Sequence, residues 1–399
     1  MVFWCSWERR KCLMSVIAAA YSSYTTLSIS QAGTAAADAG TKSSTASVFS
    51  RASSSAPDAP VTTVSISYRA KLLLARASAE QSAVDQLQAQ LDAFRTGGPA
   101  AALRGADAND GLSVGMDLFE IISGAGDDSI HVQASNATIN SGAGNDVIGV
   151  DGQASVVAGE GDDVVFTYGH STVDGGAGND HISTYGHSTA AGGDGDDSIS
   201  TYAYSSVSGG SGNDILRTYG NSTLDGGAGD DSLSAYDHAN LSGGAGNDYI
   251  GAYDNAVVDA GTGDDTVRTY SHATVSAGDG DDHVWTHDYS VVDAGAGNDM
   301  IWAGGSSTVT GGTGDDIISV TGDNSTINFA KGDGNDVVRI DNGSDSVDLS
   351  ISGYSLDDVI VTQQLGRTTV NFKGSDDSLV FNGSARLSFA DHTSVDIRA

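Results

Sequence analysis

Hydrophobic positions in the middle of this chain recur in a short, fixed pattern. In Asp180-His181-Ile182-Ser183-Thr184 an aliphatic stands two residues after an aspartate, and a small or β-branched residue follows two further on. Ser188-Thr189-Ala190 repeats the alternation, and Gly192-Gly193-Asp194-Gly195-Asp196-Asp197 then turns the chain into the next unit. The aliphatic two residues past the turn is Ile130, Ile148, Val165, Ile182, Ile199, Leu216, Leu233, Ile250, Val267, Val284, Ile301 or Ile318. A second apolar file runs through Val173, Ala190, Val207, Leu224, Leu241, Val258, Val275, Val292 and Val309. From Asp128 to Asp146 the step is 18 residues, from there to Asp316 every step is 17, and a last turn follows at Asp336 after a step of 20. A fixed period of this length predicts a solenoid whose repeats bury their apolar sides only against their neighbours. Period-2 alternation within each repeat predicts two short parallel strands facing each other across a thin core. The expected fold is therefore all-β, a parallel β-roll or β-helix of about 12 coils and roughly 55 Å in length, closed by a C-terminal β cap.

The flanks lack this pattern. Residues 1–65 are rich in Ser and Ala without a period and are expected to be disordered. Val84, Leu87, Leu91 and Phe94 share one helical face before Gly97-Gly98-Pro99, which predicts a short helical segment within 66–98. A linker over 99–122, the roll over 123–340 and a cap over 341–399 complete the expected organisation. Leu13–Tyr21, after Glu8-Arg9-Arg10-Lys11, faintly resembles the apolar part of a cleavable signal, but it is short and diluted by Ser and Ala; translation from Met14 is the blander reading. No cleavable signal peptide is expected. No run is long enough for a transmembrane helix.

Charge changes the picture. Residues 105–399 hold eight Lys/Arg against 46 Asp/Glu, a net of −38, whereas residues 1–104 are mildly basic with ten against six. Such a density repels nucleic acid and anionic membrane and opposes compaction unless cations neutralise it. The two cysteines, Cys5 and Cys12, lie far from the repeats, so no disulfide framework holds them.

The turns GGAGND, GGDGDD, GGSGND and GGTGDD supply glycines that let the backbone approach closely, and side-chain oxygens beside them. Calcium is a hard cation that takes six to eight oxygen ligands, more than one turn provides, so an ion is expected to bridge successive turns. These turns closely resemble the G-G-x-G-x-D-x-U-x nonapeptide of RTX (haemolysin-type calcium-binding) proteins. The resemblance implies a column of Ca2+ between coils of a parallel β-roll. Carried onto this chain, it implies that the final Asp of each turn is the ligand, with help from the preceding Asp or Asn and from glycine carbonyls: Asp127 and Asp128, Asn145 and Asp146, Asp162 and Asp163, Asn179 and Asp180, Asp196 and Asp197, and Asn213 and Asp214. It continues through Asp230 and Asp231, Asn247 and Asp248, Asp264 and Asp265, Asp281 and Asp282, Asn298 and Asp299, Asp315 and Asp316, and Asn335 and Asp336. The tail, with FAKGDGNDVVRI, GYSLDDVIVTQQ and LSFADHTSVDIRA, resembles the haemolysin-type C-terminal region, which implies a cap and an uncleaved signal for a type I secretion apparatus.

One departure stands out. The second turn of each coil reads TYGHS, TYAYS, TYGNS, AYDHA, AYDNA, TYSHA or THDYS instead of a glycine-acidic turn. It aligns Tyr168, Tyr185, Tyr202, Tyr219, Tyr236, Tyr253 and Tyr270, then His287, with His170, His187, His238 and His272 in a neighbouring file. Ring stacking that stabilises a turn without calcium is the expected role, against an aromatic surface for a glycan or a histidine metal file. One column of Ca2+ is expected rather than two. Gly111-Leu112-Ser113-Val114-Gly115 matches G-x-S-x-G, but it borders the first coil with no α/β sheet to hold a nucleophile elbow. No H-E-x-x-H is present, and the outward Thr172, Thr189, Thr223, Thr274 and Thr308 are expected to be a solvated strand face.

The resulting expectation is a secreted, extracellular calcium-binding repeat protein, not an enzyme, with a structural, adhesive or surface-interaction role. A secreted hydrolase or polysaccharide-modifying enzyme, or a toxin-like protein, is the alternative.

Overall fold

The computed structural model describes residues 24–31, 45–47, 61–67, 102–105, 107–115, 119–202, 204–341 and 347–398. A coil from the centre shows the construction. Strand Ser198–Thr201 pairs in parallel with His181–Thr184 on one side and Ile215–Thr218 on the other. Strand Ser206–Ser211 pairs likewise with Thr189–Asp194 and Thr223–Ala228 in the opposite sheet. Ile199, Thr201 and Val207 are almost fully buried, whereas Ser200 is half-buried and Ser206 exposed. Because the period is even along each strand, one register serves every coil, and identical positions stack into ladders.

The roll comprises about 14 turns of about 17 residues, and the described residues contain no α-helix. It is thus slightly longer than the repeat pattern alone predicts. Residues 102–122, expected as a linker, hold strands Ala102–Arg104 and Asp110–Val114 and the start of Phe119–Ala125. Asn109-Asp110 occupies the turn of this first coil, 18 residues before Asp127-Asp128. It escapes a motif reading because only Gly105 remains of the usual glycines. Within the stretch expected to be disordered, Tyr24–Gln31, Thr45–Ser47 and Val61–Ser67 are strands, and Tyr24–Gln31 runs antiparallel to Asp110–Val114. The helical segment read at 66–98 lies outside the described residues apart from Ile66 and Ser67, which end a strand.

At the other end the core widens. Ser378–Asn382 adds a parallel rung to Asn335–Ile340, and Ala385–Phe389 adds one to Asp348–Ile351. The hairpin Val359–Gln364/Arg367–Phe372 and the last strand, Ser394–Ile397, pair antiparallel and terminate the two sheets. Phe372 stacks on Phe329 at 5.1 Å and on Tyr354 at 4.3 Å, filling with rings the space that aliphatics fill elsewhere. Covering terminal edges in this way removes a template for end-to-end strand pairing.

Candidate metal centre

The glycine-acidic turns stack along one edge of the roll as two parallel files. The inner file is the last aspartate of each turn, Asp128 through Asp336, every member nearly fully buried. Its Oδ1 accepts the backbone N–H of the aspartate one coil earlier: Asp180 N donates to Asp197 Oδ1, and Asp197 N to Asp214 Oδ1, at 2.7 and 2.8 Å. The outer file, one residue earlier, is exposed and bonds in the other direction. Asp196 N donates to Asn179 Oδ1 and Asn213 N to Asp196 Oδ1, both at 2.8 Å. Each turn is therefore tied to both neighbours through side-chain oxygens.

The second oxygen of the inner file has no such partner. From Asp128 to Asp316, every inner-file Oδ2 is buried without a hydrogen bond. At Gly175, Gly192, Gly209, Gly226 and Gly243 this oxygen and the carbonyl of the equivalent residue one coil on both crowd the point where a Cβ would stand. A carboxylate oxygen and a carbonyl oxygen from successive coils thus converge on one small gap, a donor set suited to a hard cation. Gly176 and Gly178 adopt φ of 113° and 126°, which brings their backbone against Gly159 and Gly161 of the preceding coil. Elsewhere the gap carries a side chain. Ser123 Oγ donates to Ser141 O and Ser141 Oγ to Ala158 O, at 2.8 and 2.7 Å, while Ala158, Ala260, Ala277 and Ala294 place a methyl at this position.

Burial raises the pKa values of this file. Asp163, Asp197, Asp231, Asp265, Asp282 and Asp299 are pushed up to about 7, first by burial and further by neighbouring carboxylates, against the lowering effect of the backbone N–H. Asp146, Asp180, Asp214 and Asp316 reach about 6, and Asp336 about 8. Asp128 and Asp248 shift in the same direction for the same first cause. Unneutralised charge on this file is therefore unfavourable.

Among the described residues no three His, Cys, Asp or Glu side chains gather around one point. The carboxylates form files, so an ion bound here draws the rest of its shell from backbone carbonyls. All the sequence-predicted positions lie on this edge, the last aspartates buried and their preceding Asp or Asn exposed. As far as Asp264 the outer file also alternates, Asn109, Asp127, Asn145, Asp162, Asn179, Asp196, Asn213, Asp230, Asn247, Asp264, before Asp281 breaks the order. Carboxylates there stand two rungs apart, roughly 10 Å, about one screening length at physiological salt. This order is written in the sequence but gains meaning only once the coils are stacked.

The opposite edge is aromatic. Tyr168, Tyr185, Tyr202, Tyr219, Tyr236, Tyr253 and Tyr270 stack with centroids 4.4–5.0 Å apart and planes within 11° of parallel, and His287 continues the stack at 5.4 Å. The neighbouring file stacks His170 on His187 and His187 on Tyr204, then His272 on Tyr289. Ser113 lies exposed within strand Asp110–Val114, so the G-x-S-x-G match forms no strand-to-helix elbow.

Fold and turn ladder together define a calcium-binding repeat solenoid. Residues 120–148, 148–182, 208–237 and 218–250 match the RTX calcium-binding nonapeptide repeat, in four copies. The chain carries RTX repeats, and repeats of this kind bind Ca2+ in a series. No curated protein matches the chain. No helix among the described residues is long and apolar enough to cross a membrane.

Proposed function

We propose that the protein is a secreted repeat protein with a structural or adhesive role outside the cell, whose roll folds as calcium fills the glycine-acidic edge. The observation that carries this reading is the unbroken file of buried, unpartnered Oδ2 atoms from Asp128 to Asp316. The last aspartate of each turn is assigned as the carboxylate ligand, with glycine carbonyls of successive turns completing the shell and the outer Asp or Asn assisting from the surface. Without cations, carboxylates buried along one edge repel and lack the solvation they lose; bound calcium neutralises the charge and compensates for the lost hydration. An ion that binds only the folded state contributes about 1.4 kcal/mol at ten times its dissociation constant. Several coupled sites then decide the fate of a thin core, and metal binding and folding become one event. Low cytosolic calcium keeps such a chain unfolded and exportable, and extracellular calcium locks it. The resemblance of the tail, with GYSLDDVIVTQQ and LSFADHTSVDIRA, to the haemolysin-type C-terminal region supports export by a type I apparatus. A catalytic role is not assigned to any residue.

Circular dichroism of the purified chain during a calcium titration, with magnesium as control, tests the reading. A cooperative gain of β-structure with calcium and none with magnesium is expected. A fully folded roll in chelator at neutral pH would overturn it.

A further inference from the structure

The Tyr168–Tyr270 ladder leaves little room for a ligand, because each interior ring has both faces covered by its neighbours. The second file differs. His170, His187 and Tyr204 stack at 5.2 and 5.1 Å, the next rung carries Asn221, and the rung beyond carries His238. The register confirms successive rungs, since Ser206 pairs with Thr223 and Thr223 with Asn240. Where the missing ring would stand there is an open cleft of about 350 Å³, bounded by Tyr204 and His238 and lined between them by Asn221, Ser222, Thr223 and Asn240. A second asparagine interrupts the file at Asn255, but there Asp254 and Asn255 have φ of 39° and 50°, so that turn has a different shape.

We propose that this cleft binds a neutral saccharide, one pyranose ring inserted between Tyr204 and His238 in place of the absent aromatic ring. Two rungs are roughly 10 Å apart, so one inserted ring lies at stacking distance from both neighbours. The apolar face of a pyranose stacks on Tyr204, which is 57% exposed. Its rim of hydroxyls is matched by the amides of Asn221 and Asn240 and the Thr223 hydroxyl, each able to donate and accept. Neutrality follows from the surroundings: the lining has no Asp, Glu, Lys or Arg, and a net charge of −34 on the chain repels anions. A flat aromatic ligand stacks equally well but leaves those amides and the hydroxyl unmatched. This site lies on the edge opposite the acidic turns and requires only that the roll be folded.

The test is isothermal titration of the full chain in saturating calcium with cello-, malto-, laminari-, manno- and chitohexaose. Circular dichroism of the same samples separates a failure of folding from a failure of the cleft. At least one oligosaccharide is expected to bind with a dissociation constant below about 1 mM. Asn221→Tyr, which restores the ring stack and fills the cleft, is expected to weaken that binding at least about tenfold without loss of β-structure, as is Tyr204→Ala. Tyr168→Ala, at the far end of the ladder, is expected to leave it unchanged. The proposal fails if none of the five binds to folded protein at about 10 mM, or if Asn221→Tyr binds like the parent chain.

Discussion

On one edge of the roll Asp180, Asp197 and Asp214 stack carboxylates, and on the other Tyr185, Tyr202 and Tyr219 stack rings at 4.5 and 4.9 Å. Both files hold successive turns in register, but by opposite physics. Stacked tyrosines attract without a bound ion, and their rings are uncharged at neutral pH. Stacked carboxylates are held by backbone N–H groups through one oxygen, while the other is buried without a partner and repelled by its neighbours. The aromatic edge therefore stabilises the roll without a bound cation, and the acidic edge does so only when a cation or a proton neutralises it. A solenoid built with one edge of each kind has a permanent seam and a conditional one.

The largest expected effect breaks the conditional seam. Asp214→Ala removes the acceptor for the buried Asp197 N–H together with a proposed calcium ligand, and is expected to cost at least about 3 kcal/mol in calcium. Asn213→Ala, one residue away on the exposed file, removes the acceptor for Asp230 N and is expected to cost less than about 1 kcal/mol, since water replaces it. Urea unfolding in saturating calcium compares the two; equal losses would remove the distinction between the files.

Proton binding sharpens the same contrast. The inner aspartates have folded-state pKa values raised to about 6–7, above the unfolded value, so the folded chain binds more protons than the unfolded one. Stability in chelator is then present at low pH and falls as pH rises from about 4 through about 7. Calcium, which needs the ionised form, is expected to bind more tightly over the same interval. Thermal melts in chelator from pH 4 to pH 8 check the sign, and a rise in stability across that range would contradict the burial of this file.

On the aromatic edge, Tyr219→Ala interrupts two stacking contacts and is expected to cost about 1–2 kcal/mol, with no change in the number of calcium ions bound. Equilibrium dialysis with labelled calcium, alongside urea unfolding, reads both quantities. The smallest effect is expected in the core. Thr201 Oγ1 is buried without a hydrogen-bond partner, so Thr201→Val is expected to be neutral or slightly stabilising, with the melting temperature moving upward if at all.

Much of this molecule is legible from its residues. The 17-residue period, the alternation around Ile199 and Val207, and the tyrosine at each second turn predict parallel stacking, inward ladders and a ring file, because a solenoid repeats local geometry and leaves few long-range choices. The acidic turns were equally legible as cation ligands in type. The family resemblance already ranked the last Asp of each turn above the residue before it, but not the burial that separates them: Asp180 is buried and Asn179 exposed, although the two are adjacent in sequence, because the strand that begins after the turn sets which side chain faces inward. The first coil was hidden for a different reason, since Asn109-Asp110 takes the place of a turn whose glycines are mostly absent.

The sequence by itself determined the period, the two edges and the charge that makes one of them conditional, since all three are properties of a single repeat. Only the tertiary structure decided what one repeat does to the next. Stacking brings Asp197 Oδ1 to Asp180 N, leaves Oδ2 facing a carbonyl from another coil, and opens a cleft between Tyr204 and His238, residues 34 positions apart. Such contacts depend on the rise from coil to coil and on the register of pairing, and neither is a property of any one segment of the chain.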